Sequence, residues 1–147
     1  MAYLLDSNIL IYSQMDAMPE HGPVFSWLSK TLSEAGTTVL VTETSLLSFL
    51  RITTNLKIFD PPLPLNSAAS FIVGFLGDPS TYLYRSSEEH FLGVAKFMKK
   101  HDFTGNLVMD AHLAVAAIET GATLVTCDTD FKKIPYMKLL NPLVDAK

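Results

Sequence analysis

Three short, largely apolar runs, each followed within two residues by an acid, constrain the fold of this 147-residue chain most strongly. The runs are Tyr3–Leu5, Val39–Val41 and Ala122–Thr126, and the acids are Asp6, Glu43 and Asp128. Such runs are typical of strands that are buried on both faces of a parallel sheet. Because helical patterns lie between them, we predict an α/β fold: a three-layer α/β/α sandwich with a mainly parallel central sheet of about four to five strands.

Apolar residues at helical spacing and capping residues predict six helices between and after these runs. The predicted helices are residues 7–13, His21–Ala35, Glu43–Thr54, one capped by Asn66, one capped by Ser86 or Ser87, and Leu107–Thr120. Two more strands are expected at Thr81–Tyr84 and near Met137–Leu140. Prolines exclude helix interior from residues 57–65, but composition is alike on both sides, so we expect one domain over residues 1–147.

Composition limits the classes of function. The net charge of −4 gives no basic footprint for nucleic acid, although a bound metal ion can supply local positive charge. The single cysteine, Cys127, excludes an intrachain disulfide and fits a reducing cytoplasm. No apolar run approaches the roughly 20 residues of a membrane span, and the N-terminus lacks a signal-peptide pattern. We therefore expect a soluble cytoplasmic protein without a membrane partner.

Four acids are expected to meet at one edge of the sheet. The carboxyl ends of parallel strands share an edge where ligands bind, so Asp6, Glu43 and Asp128 should lie there. Asp110, in the first turn of its helix, and Glu43 both have apolar residues at helical spacing, and we expect both to point toward the core. Clustered carboxylates repel one another unless a cation neutralises them, and oxygen ligands without His or Cys favour Mg²⁺ or Mn²⁺. Phosphodiester hydrolysis often uses such a site.

These motifs resemble those of the PIN domain. The resemblance rests on Leu4-Leu5-Asp6-Ser7-Asn8, Thr42-Glu43, residues 105–114 (GNLVMDAHLA) and Thr126-Cys127-Asp128-Thr129-Asp130-Phe131. It extends over nearly the whole chain, including residues 49–55 and 140–143. Within that superfamily, the chain is similar to VapC-type ribonuclease toxins of bacterial type II toxin–antitoxin pairs.

The resemblance implies an endoribonuclease that depends on Mg²⁺ or Mn²⁺ and forms homodimers. Its implied partners are an RNA substrate, with transfer RNA as the family expectation, and a VapB-like antitoxin that inserts a segment into the acidic pocket. Carried over by position, Asp6 and Asp110 are the primary metal ligands, and Glu43 supports the metal or orients its water. Asp128 matches the fourth acid, and Asp130 is an alternate for it.

Three polar residues are candidates for supporting these acids. We expect Asn8 to fix the strand-to-helix turn and to hydrogen-bond Asp6. Thr126 either supplies a hydroxyl near the site or packs structurally. Asn106 precedes Asp110 by about one turn, so it either approaches the site or caps a helix.

Two further residues near the acids are expected to play other parts. Because Asp favours turns, Asp130 is better explained by turn structure than by metal binding, with Phe131 packing back on the core. His112 falls about 200° round its helix from Asp110, which predicts a place at the surface or at a partner contact.

Two other functions stay open at this point. One is an aspartate-based phosphotransferase or phosphatase with Asp6 as nucleophile, although one such class needs an aspartate where this chain has Asn8. The other is a non-catalytic PIN module whose acidic pocket only receives an arginine from a partner. Cleavage of RNA by the purified protein separates these alternatives from a nuclease.

Overall fold

A five-stranded, wholly parallel sheet forms the centre of residues 1–145, the part of the chain that the computed structural model describes. Its spatial order is β3-β2-β1-β4-β5, so the first strand lies in the middle. The strands in chain order are β1 Ala2–Leu5, β2 Thr38–Thr42, β3 Thr81–Tyr84, β4 Thr123–Val125 and β5 Leu139–Leu140. The predicted parallel sheet is confirmed; residues 146–147 of the expected single domain lie outside the described residues.

Within residues 1–145, six α-helices connect and cover these strands. They are α1 Ser7–Gln14, α2 His21–Ser33, α3 Glu43–Thr53, α4 Leu65–Gly77, α5 Glu88–His101 and α6 Val108–Thr120. A 3-10 turn over Gly105–Leu107 precedes α6, and another spans Asp130–Lys133. Within residues 1–145 no helix is long and apolar enough to cross a membrane.

The sheet separates two hydrophobic cores, because successive side chains of a strand point to opposite faces. Leu4 is fully buried in a core that it shares with α5 and α6. Its neighbour Leu5 is fully buried in a second core with α1 to α4. Burial on both faces explains why the strand is apolar throughout, and it produces the three-layer α/β/α sandwich predicted from the sequence.

Side-chain caps begin α1 and α3 directly after their strands, at the carboxyl edge of the sheet. Asp6 follows β1, and its side chain accepts a hydrogen bond from the backbone N–H of Ser7 at the start of α1. Thr42 ends β2 and accepts from the backbone N–H of Ser45 in the first turn of α3. Each cap satisfies a donor that the first turn of a helix leaves free, so the chain turns from strand to helix without a loop.

The start of α4 differs from the sequence expectation. Asn66 is not its N-cap but its second residue, and Pro64 occupies the capping position without a side-chain hydrogen bond. The fixed φ of proline suits a helix start and its ring needs no N–H partner there, so the proline supersedes the polar capping signal. By contrast, Ser87 caps α5 as predicted, and Gly121 ends α6 with a positive φ of 69°.

Candidate metal centre

Three of the four predicted acids line one cavity of about 290 Å³ at the carboxyl edge of the sheet: Asp6, Asp110 and Asp128. Asp6 comes from the β1–α1 junction, Asp110 from the first turn of α6, and Asp128 from the loop after β4. All three are half-buried. The topology brings together acids that are more than 100 residues apart in the chain because β1 and β4 are hydrogen-bonded neighbours.

Asp130 lies in the same acidic group. Asp110, Asp128 and Asp130 each offer a carboxylate oxygen, and these oxygens lie within 4.8 Å of one another. The backbone N–H of Asp130 also donates to Oδ1 of Asp128 at 2.9 Å, so Asp130 is a turn residue as well. Phe131, next in the chain, is buried in the core as predicted. Turn structure was therefore an incomplete account of Asp130, because its carboxylate joins the acids.

Thr126 connects two of the cavity acids. Its hydroxyl donates to Oδ2 of Asp6 at 2.8 Å and accepts the backbone N–H of Asp128 at 3.0 Å. Thr126 is almost completely buried. Its single hydroxyl therefore holds both of the segments that carry Asp6 and Asp128. Of the two explanations open from the sequence, the hydroxyl near the site is the one observed.

Asn8 also holds Asp6, as expected from the sequence. Its Nδ2 donates to Oδ2 of Asp6 at 3.4 Å and to Oγ1 of Thr126 at 3.3 Å. Its Oδ1 accepts the backbone N–H of Cys127 at 3.3 Å, so the side chain spans from α1 to the loop after β4. The Asp6 carboxylate is thus oriented by α1 and by the end of β4 together.

Two of the cavity acids, Asp6 and Asp110, have a pKa above the ordinary value of an aspartate. Burial raises the pKa of Asp110 to about 6, with further contributions from Asp128, Asp6 and Asp130. Burial also raises the pKa of Asp6, as does Asp128 to a smaller degree, while hydrogen bonds from Thr126 and Ser7 lower it. Repulsion of this kind is relieved when a cation binds. The donor set, carboxylate oxygens without sulfur or imidazole, fits a hard divalent ion such as Mg²⁺ or Mn²⁺.

The expected orientation of Glu43 is wrong. Glu43 is exposed and lines a neighbouring cavity beside Val94 and His112 instead of the acidic one. The reason is that α3 packs on the core through Leu46 and Phe49, whereas Leu47, which lies one turn after Glu43, is 65% exposed. Glu43 therefore lies outside the group of mutually close aspartates, and its metal-supporting role stays a prediction.

Asn106 does not take either of its expected places. It is exposed in the 3-10 turn before α6, and it is not among the residues that line the acidic cavity. The N-cap position of α6 is Leu107, without a side-chain hydrogen bond, so Asn106 does not cap that helix. The tight turn over Gly105–Leu107 displaces the asparagine from the capping position. Within residues 1–145, no contact with the acids supports a role for Asn106 at the site.

His112 is buried, contrary to the surface position expected from its helix. Its Nε2 lies 2.9 Å from Oγ1 of Thr44, and its Nδ1 lies 2.7 Å from Nε2 of His90. His90, fully buried, reaches Oη of Tyr84 at 2.8 Å and Oε2 of Glu119 at 3.2 Å. Burial lowers the pKa of His112, and so does His90. We call Thr44, His112, His90, Tyr84 and Glu119 the histidine relay.

One face of α3 forms the wall of the acidic cavity that carries no acid. Thr44, Ser48 and Arg51, spaced four and three residues apart, line it together. The recurrence of polar residues at helical spacing along α3 is the sequence signal that could have identified them. Arg51 is one of only two arginines in the chain, and it had no role assigned from the sequence.

The PIN domain family profile matches residues 3–136 of this chain. Among curated proteins, Ribonuclease VapC37 of Mycobacterium tuberculosis is 34% identical over 139 residues, which cover 95% of this chain and 96% of that protein. Ribonuclease VapC33 of the same species is 28% identical over 138 residues, covering 94% and 96%. The similarity therefore spans both chains nearly end to end.

Solved structures share the fold. VapBC2 from Rickettsia felis, bound to a DNA fragment from its promoter, matches with a TM-score of 0.71 at 21% identity, over 96% of this chain and 98% of that one. VapBC-1 from nontypeable Haemophilus influenzae matches with a TM-score of 0.67 at 17% identity, over 97% and 99%. The family match and the curated relatives together show that the chain belongs to the PIN domain family, in its VapC group.

Proposed function

We propose that this chain is a metal-dependent endoribonuclease that serves as the toxin of a VapBC-type toxin–antitoxin pair. The observation that carries the proposal is the convergence of Asp6, Asp110 and Asp128 in one cavity, with Asp130 beside them. The names of the curated relatives support RNA as the substrate class. The proposed reaction is hydrolysis of RNA phosphodiester bonds, with transfer RNA as the proposed target.

The aspartates are proposed to hold Mg²⁺ or Mn²⁺, with Asp6 and Asp110 as primary ligands and Asp128 or Asp130 completing the set. When bound, such an ion activates a water and stabilises charge on the phosphate. Thr126 keeps the Asp6 carboxylate in place through its 2.8 Å hydrogen bond. Because the pKa of Asp110 is about 6, this carboxylate is mainly ionised at neutral pH and ready to accept a cation. Glu43 is proposed to orient the attacking water.

The proposed partners are a VapB-like antitoxin and a second copy of the chain. Exposed apolar side chains on α3, in the segment after it and at the first residue of α4 support a protein contact there: Leu47, Leu56, Ile58 and Leu65. Exposed apolar surface of this kind often marks an interface. We further propose that residues 1–147 act as a single PIN domain in the cytoplasm.

Sequencing of the RNA ends left by the purified, antitoxin-free protein tests this function. With Mg²⁺ or Mn²⁺ present, we expect defined cuts in transfer RNA that leave 5′-phosphate and 3′-hydroxyl ends. Asp6→Asn should lower the cleavage rate at least about 100-fold, because a primary ligand is lost. Cuts that persist unchanged in Asp6→Asn or in EDTA would contradict the proposal, since they would reveal a contaminating nuclease or a metal-free reaction.

A further inference from the structure

Arg51 lies at the rim of the acidic cavity, and within residues 1–145 its charge is not paired with an acid. It lines the cavity from the last turn of α3 and is exposed to solvent at the same time. Within residues 1–145 its guanidinium makes no hydrogen bond or ion pair to a protein group, although three aspartates line the same cavity. The five N–H donors of the guanidinium are therefore available to a ligand.

The charges of the cavity explain why such a residue matters. An RNA backbone is a polyanion, and the chain carries a net charge of −4, with Asp6, Asp110 and Asp128 on the other walls. Among the described residues that line the cavity, Arg51 is the only basic one. A cation held by Asp6, Asp110 and Asp128 would offset the charge of the phosphate at the reacting bond, but the neighbouring phosphates would still need a partner of their own.

We propose that Arg51 binds a phosphate of the RNA backbone at the rim of the acidic cavity, an inference that rests on the proposed ribonuclease function. The planar guanidinium donates two parallel hydrogen bonds to a phosphate, which a lysine ammonium does not reproduce. The hydroxyl of Ser48, one turn earlier on the same face of α3, lines the cavity beside it. Arg51 is thus a binding residue for the sugar–phosphate backbone and reads no base.

A purely structural role predicts different behaviour. Arg51 is the basic residue in the last turn of α3, where a positive charge stabilises the helix dipole. Lys30 is the basic residue in the last turn of α2, is also exposed, and lines a different cavity with Trp27. Lys30→Gln therefore removes the same charge–dipole interaction without touching the acidic cavity, which makes it the matched control.

The test is fluorescence anisotropy of a labelled single-stranded oligoribonucleotide, titrated with the full chain in an Asp6→Asn background at several salt concentrations. Adding Arg51→Gln should raise Kd about tenfold, as expected for loss of a charged hydrogen bond. It should also reduce the slope of log K against log salt by about 0.7, the value for one phosphate contact on a single strand. Arg51→Lys should keep the slope and weaken binding less, and Lys30→Gln should change neither quantity.

Cleavage by each single variant on the wild-type background separates the two proposals. If wild type cleaves RNA and Arg51→Gln binds with unchanged Kd and salt slope, the Arg51 inference is wrong and the ribonuclease function stands. If wild type does not cleave RNA but Arg51→Gln loses affinity and slope as described, Arg51 binds the backbone and the proposed function is wrong. If Lys30→Gln weakens binding as much as Arg51→Gln, the effect is general electrostatics and the inference fails.

Discussion

At the scale of single residues, the site consists of acids whose like charges repel one another and of neutral side chains that hold these acids at the edge of the sheet. Thr126 donates to Asp6 and accepts from the backbone of Asp128, so one buried hydroxyl serves two acids. Asn8 adds a weaker contact to the same Asp6 oxygen. Protein groups alone therefore hold Asp6 and the segment that carries Asp128 in position, while burial, and to a smaller degree the neighbouring acids, raises the pKa of Asp6 and of Asp110.

Burial of Asp110, together with the neighbouring acids, leads to a prediction for the stability of Asp110→Asn. The pKa of Asp110 is raised to about 6 in the folded protein, so between about pH 4 and 6 the folded state binds more protons than the unfolded state. Stability of the metal-free protein should therefore fall as pH rises through that range. Asp110→Asn should flatten this fall and add about 1–2 kcal/mol to the free energy of unfolding at pH 7. Urea unfolding in EDTA measures both quantities.

Asp16→Asn, which removes an exposed carboxylate outside the acidic cavity, is the control for Asp110→Asn. Addition of Mg²⁺ should then raise the Tm of wild type more than that of Asp110→Asn, because only the native acid group binds the ion well. If stability depends on pH equally in wild type and in Asp110→Asn, ionisation of Asp110 does not destabilise the folded protein, and this prediction is wrong.

Thr126 allows a second test at this scale. Thr126→Val keeps the shape but removes the donor to Asp6 and the acceptor for Asp128, so we expect metal affinity or cleavage to fall about 10–100-fold. Thr126→Ser retains the hydroxyl and should keep most of the activity. The concentration of Mg²⁺ needed for half-maximal cleavage measures the effect. An unchanged requirement in Thr126→Val would mean that the hydroxyl does not orient the metal ligands.

At the scale of elements, the histidine relay joins four of them through one line of hydrogen bonds. It runs from Thr44 on α3, through His112 on α6 and His90 on α5, to Tyr84 at the end of β3 and Glu119 on α6. Its first member lines the acidic cavity, and its last is exposed to solvent. The relay therefore ties the start of α3 to the helix that carries Asp110.

Removal of His112 should loosen this connection. In His112→Leu the buried Nε2 of His90 loses its partner, and the hydroxyl of Thr44 keeps only its contact with Thr42, which should lower the free energy of unfolding by about 1–3 kcal/mol. His101→Leu, whose ring pairs with the exposed Tyr136, should cost less. Urea unfolding compares the two variants. Equal losses would show that the relay stabilises the fold no more than a surface contact does.

The sequence predicts the strands of this fold better than it predicts which way the helical side chains point. Strands β1 and β2 were predictable because burial on both faces demands apolar runs, and their ends located Asp6 and Glu43 at the sheet edge. The direction of the Glu43 side chain was not predictable from α3 alone, since several stripes of that helix are apolar and packing selects one. His112 was misjudged for a related reason, because α5 covers the side of α6 that a helical projection leaves open.

At the scale of the whole molecule, a parallel sheet with two cores brings distant acids to one edge and leaves apolar side chains exposed around it. As a toxin, the chain expressed without antitoxin should arrest bacterial growth, and Asp6→Ala should relieve the arrest because it removes a proposed metal ligand. Growth curves after induction, with protein levels matched by immunoblot, measure this. Arrest that persists with Asp6→Ala would count against catalysis as its cause.

The most direct test of the acidic cavity as a metal-dependent ribonuclease centre is the single-turnover rate of RNA cleavage as Mg²⁺ is titrated into metal-free protein. Wild type and Asp110→Asn should be measured side by side, with antitoxin removed from both. We predict that the wild-type rate rises from near zero to saturation, and that the Asp110→Asn rate stays at least about 100-fold lower throughout. A wild-type rate that is independent of Mg²⁺ and matched by Asp110→Asn would contradict the account.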